Sequence, residues 1–256
     1  MQNALQGKTI LVFGATGRLG GTVCRVLADQ GANIVIHCNR GIEKAEALAE
    51  TIKKEGVETL IVQGDAVKED EAAACAKKAF QKFGRIDGAV NLIHRDKEFQ
   101  PARISDMNWK DWEPHIDAMK AYFHIVKAVL PYMRRQRYGK IVYLSGGLAY
   151  RFLEGCAPFS AVKAGLNAFG KTLALEEGEN HITVNTVAPG KILTEKKNKG
   201  EQWNALEEQQ LKNNPMKRFA TPEDVANGIL MFLLPENDYI TGQTMYLAGG
   251  EIMPMP

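Results

Sequence analysis

Two stretches of this chain carry chemistry in their residue types and spacing. Gly14-Ala15-Thr16-Gly17-Arg18-Leu19-Gly20 sets three glycines at regular intervals between an apolar run and a helical pattern. Glycines at a strand-to-helix junction let the chain turn tightly and bring backbone N–H groups close to a pyrophosphate, and the positive end of the helix adds to the attraction. The alternative is a turn that only joins two elements. The second stretch, Gly190–Glu201, is irregular and carries Lys191, Lys196, Lys197 and Lys199. Such a segment is either a solvated loop or a lid whose charge suits an anionic ligand. The four cysteines, Cys24, Cys38, Cys75 and Cys156, form no close pair. They read as buried thiols in a reducing compartment rather than as a zinc knuckle.

The elements that position these residues alternate along the chain. Apolar runs of strand length fall at Lys8–Phe13, Asn33–His37, Thr59–Gln63, Asp87–Ile93, Lys140–Ser145, Thr183–Val187 and Thr244–Leu247. Helical patterns fall between them, at Arg18–Gln30, Ile42–Glu55, Lys68–Phe83, about Trp109–Arg137 and about Ala157–Glu177. Two polar-faced helices follow, near Glu201–Lys212 and Thr221–Leu233. Strands apolar on both faces and separated by helices form a parallel sheet covered on both sides. The expected fold is one doubly wound α/β domain of Rossmann type over residues 1–256.

Composition narrows the function classes. The chain has 256 residues, 45% hydrophobic and 24% charged, with 24 glycines and 10 prolines, which excludes disordered, collagen-like and disulfide-scaffold proteins. Lysine and arginine total 32 against 30 acidic residues, for a net charge of +2, so there is no electrostatic case for nucleic-acid binding. The polar stretch Met1–Lys8 is not a signal peptide. No apolar run approaches the about 18 residues a membrane span needs. A soluble cytoplasmic protein is expected.

Across essentially its whole length the sequence resembles the short-chain dehydrogenases/reductases. The matching segments are Gly14–Gly20, Gly64–Val67, Asp87–Asn91, Phe159–Glu176, Thr183–Thr194, Arg218–Ala226 and Tyr239–Gly250. The resemblance implies a seven-stranded parallel sheet with helices on both faces, and a dinucleotide held by Gly14, Thr16, Gly17, Arg18, Leu19, Gly20, Arg40, Asp65, Ala66, Asn91, Lys163, Ile192 and Thr194. The glycine spacing is that of the family's extended branch, with Arg18 where the more usual cradle has glycine. The second strand ends in His37-Cys38-Asn39-Arg40, with no carboxylate for ribose hydroxyls and with Arg40 available for a 2′-phosphate. The cofactor expected, if one binds, is NADP. His94 replaces the glycine of the family's segment after the fourth strand.

The resemblance also identifies where the family's catalytic tetrad falls, and there the chain departs from it. The family moves a hydride between a nicotinamide and a carbonyl carbon. A tyrosine handles the proton, a lysine one turn later lowers its pKa and holds the ribose, a serine orients the substrate oxygen, and an asparagine sustains a water relay. Here the tyrosine position is Phe159 and the serine position is Gly146. The asparagine position, counted back from Leu130-Pro131 at the end of the long helix, is Ala118. Lys163 alone is kept, on the same helix face as Phe159. Ser145 next to Gly146 points to the opposite face of its strand. General acid–base help is worth about 10²–10⁴-fold, so three inert replacements together imply a catalytically degenerate member.

His94 is the first replacement donor to consider, followed by Ser160, Tyr143 and Tyr150. The helices Trp109–Arg137 and Ala157–Glu177 carry Ala121, Tyr122, Val126, Val129 and Met133, and Ala161, Ala164, Leu166, Ala168 and Phe169, and so are apolar on more than one face. Ordinary core packing explains such stripes as readily as a subunit contact does. In the family these helices form one subunit interface, and the segment matching Tyr239–Gly250 serves another. The reading that unites these features is a non-catalytic subunit of a hetero-tetramer with an active paralogue. The alternatives are an NADP-dependent reductase using His94 and an NADP-sensing regulator.

Overall fold

The structure is a computed structural model that describes residues 3–94, 100–193 and 208–253. Seven strands form one sheet: β1 (Thr9–Phe13), β2 (Asn33–Cys38), β3 (Thr59–Gln63), β4 (Gly88–Asn91), β5 (Gly139–Leu144), β6 (Ile182–Pro189) and β7 (Thr244–Leu247). Their order is β3-β2-β1-β4-β5-β6-β7, and every pairing is parallel. The helices are α1 (Gly20–Ala28), α2 (Ile42–Lys53), α3 (Glu69–Phe83), α4 (Trp109–Gln136), α5 (Ala157–Glu177) and α6 (Pro222–Leu233), with a further helical stretch at residues 208–213.

The strand sequences explain why helices cover both faces. Successive side chains of a strand point to opposite sides. Leu11, Phe13, Val35, Ile141 and Tyr143 enter a core shared with α3, α4 and α5. Their neighbours Ile10, Val12, Ile34, Ile36 and Val142 enter a second core with α1, α2 and α6. Two apolar cores with one sheet between them give the continuous apolar runs seen in the sequence, and the expected doubly wound fold is observed.

Local chemistry sets the helix ends. A capping box between Asn108 and Asp111 starts α4, and one between Thr221 and Asp224 starts α6. Pro131 lies inside α4 rather than at its end, and the helix runs on to Gln136, where Arg137 closes it in the left-handed conformation.

The strand order reverses between β1 and β4, and ligands of such sheets lie beyond the carboxyl ends of the strands at that reversal. Gly14 follows β1 there, and Leu92, Ile93 and His94 follow β4. The Leu92 N–H donates to the Phe13 carbonyl. Gly14, at φ +79°, is so close that a β-carbon on it would sit 3.3 Å from the Ile93 nitrogen.

Candidate active site

The glycine turn is built as the sequence predicts. A β-carbon at Gly20 would lie 2.3 Å from the Ala15 carbonyl oxygen, so only glycine allows α1 to start this close to β1. The Gly17 N–H donates to the Gly14 carbonyl, which closes the turn. Among the described residues, the N–H groups of Thr16, Arg18 and Leu19 take no part in the turn's own backbone hydrogen bonds. Gly17 and Arg18 are exposed, and Leu19 is the N-cap of α1. Outward N–H groups at a helix N-terminus can hold a pyrophosphate.

His37 supports this turn from below. Its Nδ1 accepts the Gly14 N–H at 3.3 Å and its Nε2 lies 3.0 Å from the Gly64 carbonyl, so the imidazole is neutral with the proton on Nε2. The ring packs on Phe13 at 4.8 Å between centroids. Burial pushes its pKa down to about 4, against the smaller opposing pull of the Gly64 carbonyl.

Lys163 of α5 apart, the other described positions at which the resemblance implies a dinucleotide lie at or just after the ends of β2, β3, β4 and β6. Arg40 is exposed just past β2. Asp65 accepts the Val67 N–H at 3.0 Å and gives its own N–H to Glu71 at 2.6 Å, beside buried Ala66. Asn91 accepts the Ile93 N–H through Oδ1, while its buried Nδ2 has no hydrogen-bond partner among the described residues. Ile192 is tied to Ala220 by an isolated parallel bridge. Thr194, Lys196, Lys197 and Lys199 lie outside the described residues, as does most of the stretch read as a lid.

Three of the four tetrad positions, Gly146, Phe159 and Lys163, are joined by contacts. Gly146 follows β5 in an extended conformation, and a β-carbon there would lie 3.3 Å from the Phe159 ring. Phe159, in the first turn of α5, is also met edge-on by His94 at 5.4 Å and by buried His115 at 6.0 Å. Ala118, one helical turn beyond His115 on α4, is buried and apolar. Lys163 lies one turn past Phe159, its ammonium 5.7 Å from that ring. The ammonium donates to the Tyr143 hydroxyl at 2.8 Å and to the Leu144 carbonyl at 3.0 Å. The serine and tyrosine positions of the tetrad therefore face each other in contact, and neither carries a hydroxyl.

The nominated replacement donors fare differently. Tyr143 is buried beneath α5, and burial, with the neighbouring Tyr122 phenol, raises its pKa well above the ordinary value. Ser160 and Ser145 are buried, with hydroxyls that lack a hydrogen-bond partner among the described residues. Tyr150 is exposed and leans on Tyr246 at the β7 side. His94 is the exposed imidazole at the Phe159 ring. On the far side of Gly146, Ile252 abuts Gly147 so closely that a β-carbon there would meet its tip at 2.4 Å. Arg151 and Glu251 pair beside it.

Sequence reasoning missed two partners, the role of Tyr143 as the acceptor for Lys163 and the presence of His115. Both signals were present. Tyr143 shares the strand face of Ile141, toward α5, and His115 stands three residues before Ala118 on one helix face.

The family profile described as enoyl-(acyl carrier protein) reductase matches residues 14–251. The chain belongs to the short-chain dehydrogenase/reductase family. It is 35% identical over 247 residues to the 3-oxoacyl-(acyl-carrier-protein) reductase FabG of Staphylococcus epidermidis, covering 96% of this chain and 99% of that one. It is also 35% identical over 255 residues to the 3-oxoacyl-(acyl-carrier-protein) reductase of a Synechocystis species, covering 98% and 99%. A short-chain dehydrogenase/reductase variant from Serratia marcescens superposes with a TM-score of 0.87 at 24% identity, over 97% of this chain and 99% of that one. NAD-bound xylitol dehydrogenase superposes with a TM-score of 0.88 at 23% identity, over 96% and 99%. Members of this family bind NAD or NADP.

For this short-chain dehydrogenase/reductase the residues present fit the pyrophosphate of a dinucleotide, through the N–H groups of Thr16, Arg18 and Leu19 that the turn's own backbone bonds do not use. They do not fit the family's handling of the nicotinamide end, where the proton-carrying phenol is absent and the lysine is turned onto Tyr143.

Proposed function

We propose that this chain is a non-catalytic subunit of a hetero-oligomeric short-chain dehydrogenase/reductase, assembled as a tetramer with an active paralogue. The observation that carries the reading is the contact between Gly146 and Phe159, where the family's serine and tyrosine hydroxyls are both missing. A surface for a partner supports it. Ile116, Met119, Lys120, Phe123, Gly165, Leu166 and Phe169 of α4 and α5 line an open groove of about 370 Å³. Phe123 and Leu175 on the same pair of helices are 45% and 85% exposed. Apolar surface of this kind on a helix pair is what a subunit contact covers.

The substrate class of the complex is a hydroxyacyl or ketoacyl thioester, in keeping with relatives whose names specify carrier-protein thioesters. In its most specific form the proposal makes the chain the inactive subunit of a 2-(hydroxy(phenyl)methyl)succinyl-CoA dehydrogenase. A dinucleotide held here is NADP, with Gly14 to Gly20 at the pyrophosphate, Arg40 at the 2′-phosphate, Asp65 and Ala66 at the adenine, and Asn91 and Ile192 along the remaining length.

The test is native purification from the source cells with mass spectrometry of what co-elutes. A second short-chain dehydrogenase/reductase, carrying serine, tyrosine and lysine at the matching positions and present in fixed ratio, is expected. A homo-oligomer that reduces a ketoacyl thioester on its own overturns the reading. That outcome belongs to a second reading, favoured by the His94 ring against Phe159, in which His94 donates the proton. His94→Ala then abolishes turnover.

A further inference from the structure

Tyr143 and Lys163 meet in the layer between β5 and α5. Tyr143 pairs in register with Asn91 of β4 and Thr186 of β6, so its backbone is fixed in the middle of the sheet. Its ring stacks on Tyr122 of α4 at 4.7 Å with the planes 19° apart, and Tyr122 in turn meets the Phe169 edge at 5.3 Å. The phenol is 1% exposed and Lys163 5% exposed. An ammonium has three donors, and two of these end on the Tyr143 hydroxyl and the Leu144 carbonyl. The charge also lies 4.8 Å from the Tyr143 ring centroid and 5.7 Å from that of Phe159, within cation–π range of both.

We infer that Tyr143 is a positioning residue that holds the Lys163 ammonium inside the fold and withholds it from a dinucleotide in the cleft beyond β1 and β4. Lys163 is one turn from Phe159, and Phe159 faces both Gly146 and His94 at that cleft. A lysine on this helix face reaches a ligand there only when its donors point outward. The rigid stack on Tyr122 keeps the phenol oxygen where it is, and a neutral phenol oxygen accepts from an ammonium without a countercharge. Removing that oxygen and keeping the ring leaves a buried cation short of one acceptor, a costly state that turning the side chain toward water or ligand relieves. The inference deepens the non-catalytic reading and rests on it for the ligand class.

Two measurements test it. In the first, the full unaltered chain is labelled with limiting acetic anhydride and its lysines are ranked by mass spectrometry. Lys163 is expected to be among the slowest, with its rate unchanged by excess NADPH. Protection of Lys163 by NADPH overturns the inference, because the ammonium would then already serve the ligand. In the second, Tyr143→Phe is titrated with NADPH by fluorescence. The loss of one hydrogen bond to a charged group sets the scale, so Lys163 should label about ten-fold faster and NADPH should bind about ten-fold tighter. The double variant Tyr143→Phe/Lys163→Met should lose the gain in affinity. A folded Tyr143→Phe with unchanged labelling, or with unchanged or weaker NADPH binding, overturns the inference. Turnover of a ketoacyl thioester by the unaltered chain alone would sink the non-catalytic reading and leave both of these outcomes readable.

Discussion

Phe159 differs from tyrosine by one oxygen, and Gly146 from serine by a hydroxymethyl group, so these departures from the family's tetrad are small in volume. A β-carbon at Gly146 would sit 3.3 and 3.4 Å from two Phe159 ring atoms, a contact that the ring relieves by moving a few tenths of an ångström. The triple change Ala118→Asn, Gly146→Ser and Phe159→Tyr is therefore expected to fold and to restore the missing polar groups. With Lys163 still held by Tyr143 and Leu144, the new tyrosine lacks its cationic neighbour at the nicotinamide. Adding Tyr143→Phe to the triple variant should raise kcat/KM for NADPH-dependent reduction of a ketoacyl thioester by at least about ten-fold, within the usual span of acid–base assistance. Equal rates for the triple and quadruple variants would show that Lys163 was never out of place.

At the scale of elements, one imidazole joins three of them. His37, the penultimate residue of β2, takes the Gly14 N–H after β1 and reaches the Gly64 carbonyl after β3. Its pKa is lowered from 6.5 to about 4, so the unfolded chain binds its proton first as pH falls. The stability His37 contributes is whole above pH 6.5 and is lost progressively down to about pH 4. For a shift of this size the loss is on the order of 3 kcal/mol. His37→Gln should flatten that part of the stability–pH curve in urea unfolding, and an unchanged slope would show that the ring is already solvated. Most of these elements were legible beforehand. Strands apolar on both faces and helices with caps lie within a residue or two of the sequence reading, because period and capping are local properties. The pairing of Tyr143 with Lys163 was not legible in the same way. It depends on which strand face meets which helix, and α5 is brought over β5 by the crossover rather than by any motif.

Across the whole molecule, the surface of α4 and α5 is where assembly is expected to be decided. Phe123→Glu puts a carboxylate into the groove beside Phe169 and Ile116, and should lower the native mass of the complex while leaving the fold intact by circular dichroism. An unchanged mass would place the interface elsewhere on the chain. Besides its contact with α5, the Gly146–Arg151 loop packs against chain that is far away in sequence. Ile252 presses on Gly147 and Glu251 pairs with Arg151, contacts roughly 100 positions apart, in a sheet whose parallel pairings are already non-local. This edge of the cleft therefore leans on two remote side chains, and removing residues 251–253 would take Ile252 from Gly147 and the carboxylate from Arg151 while the contact between Gly146 and Phe159 stays in place.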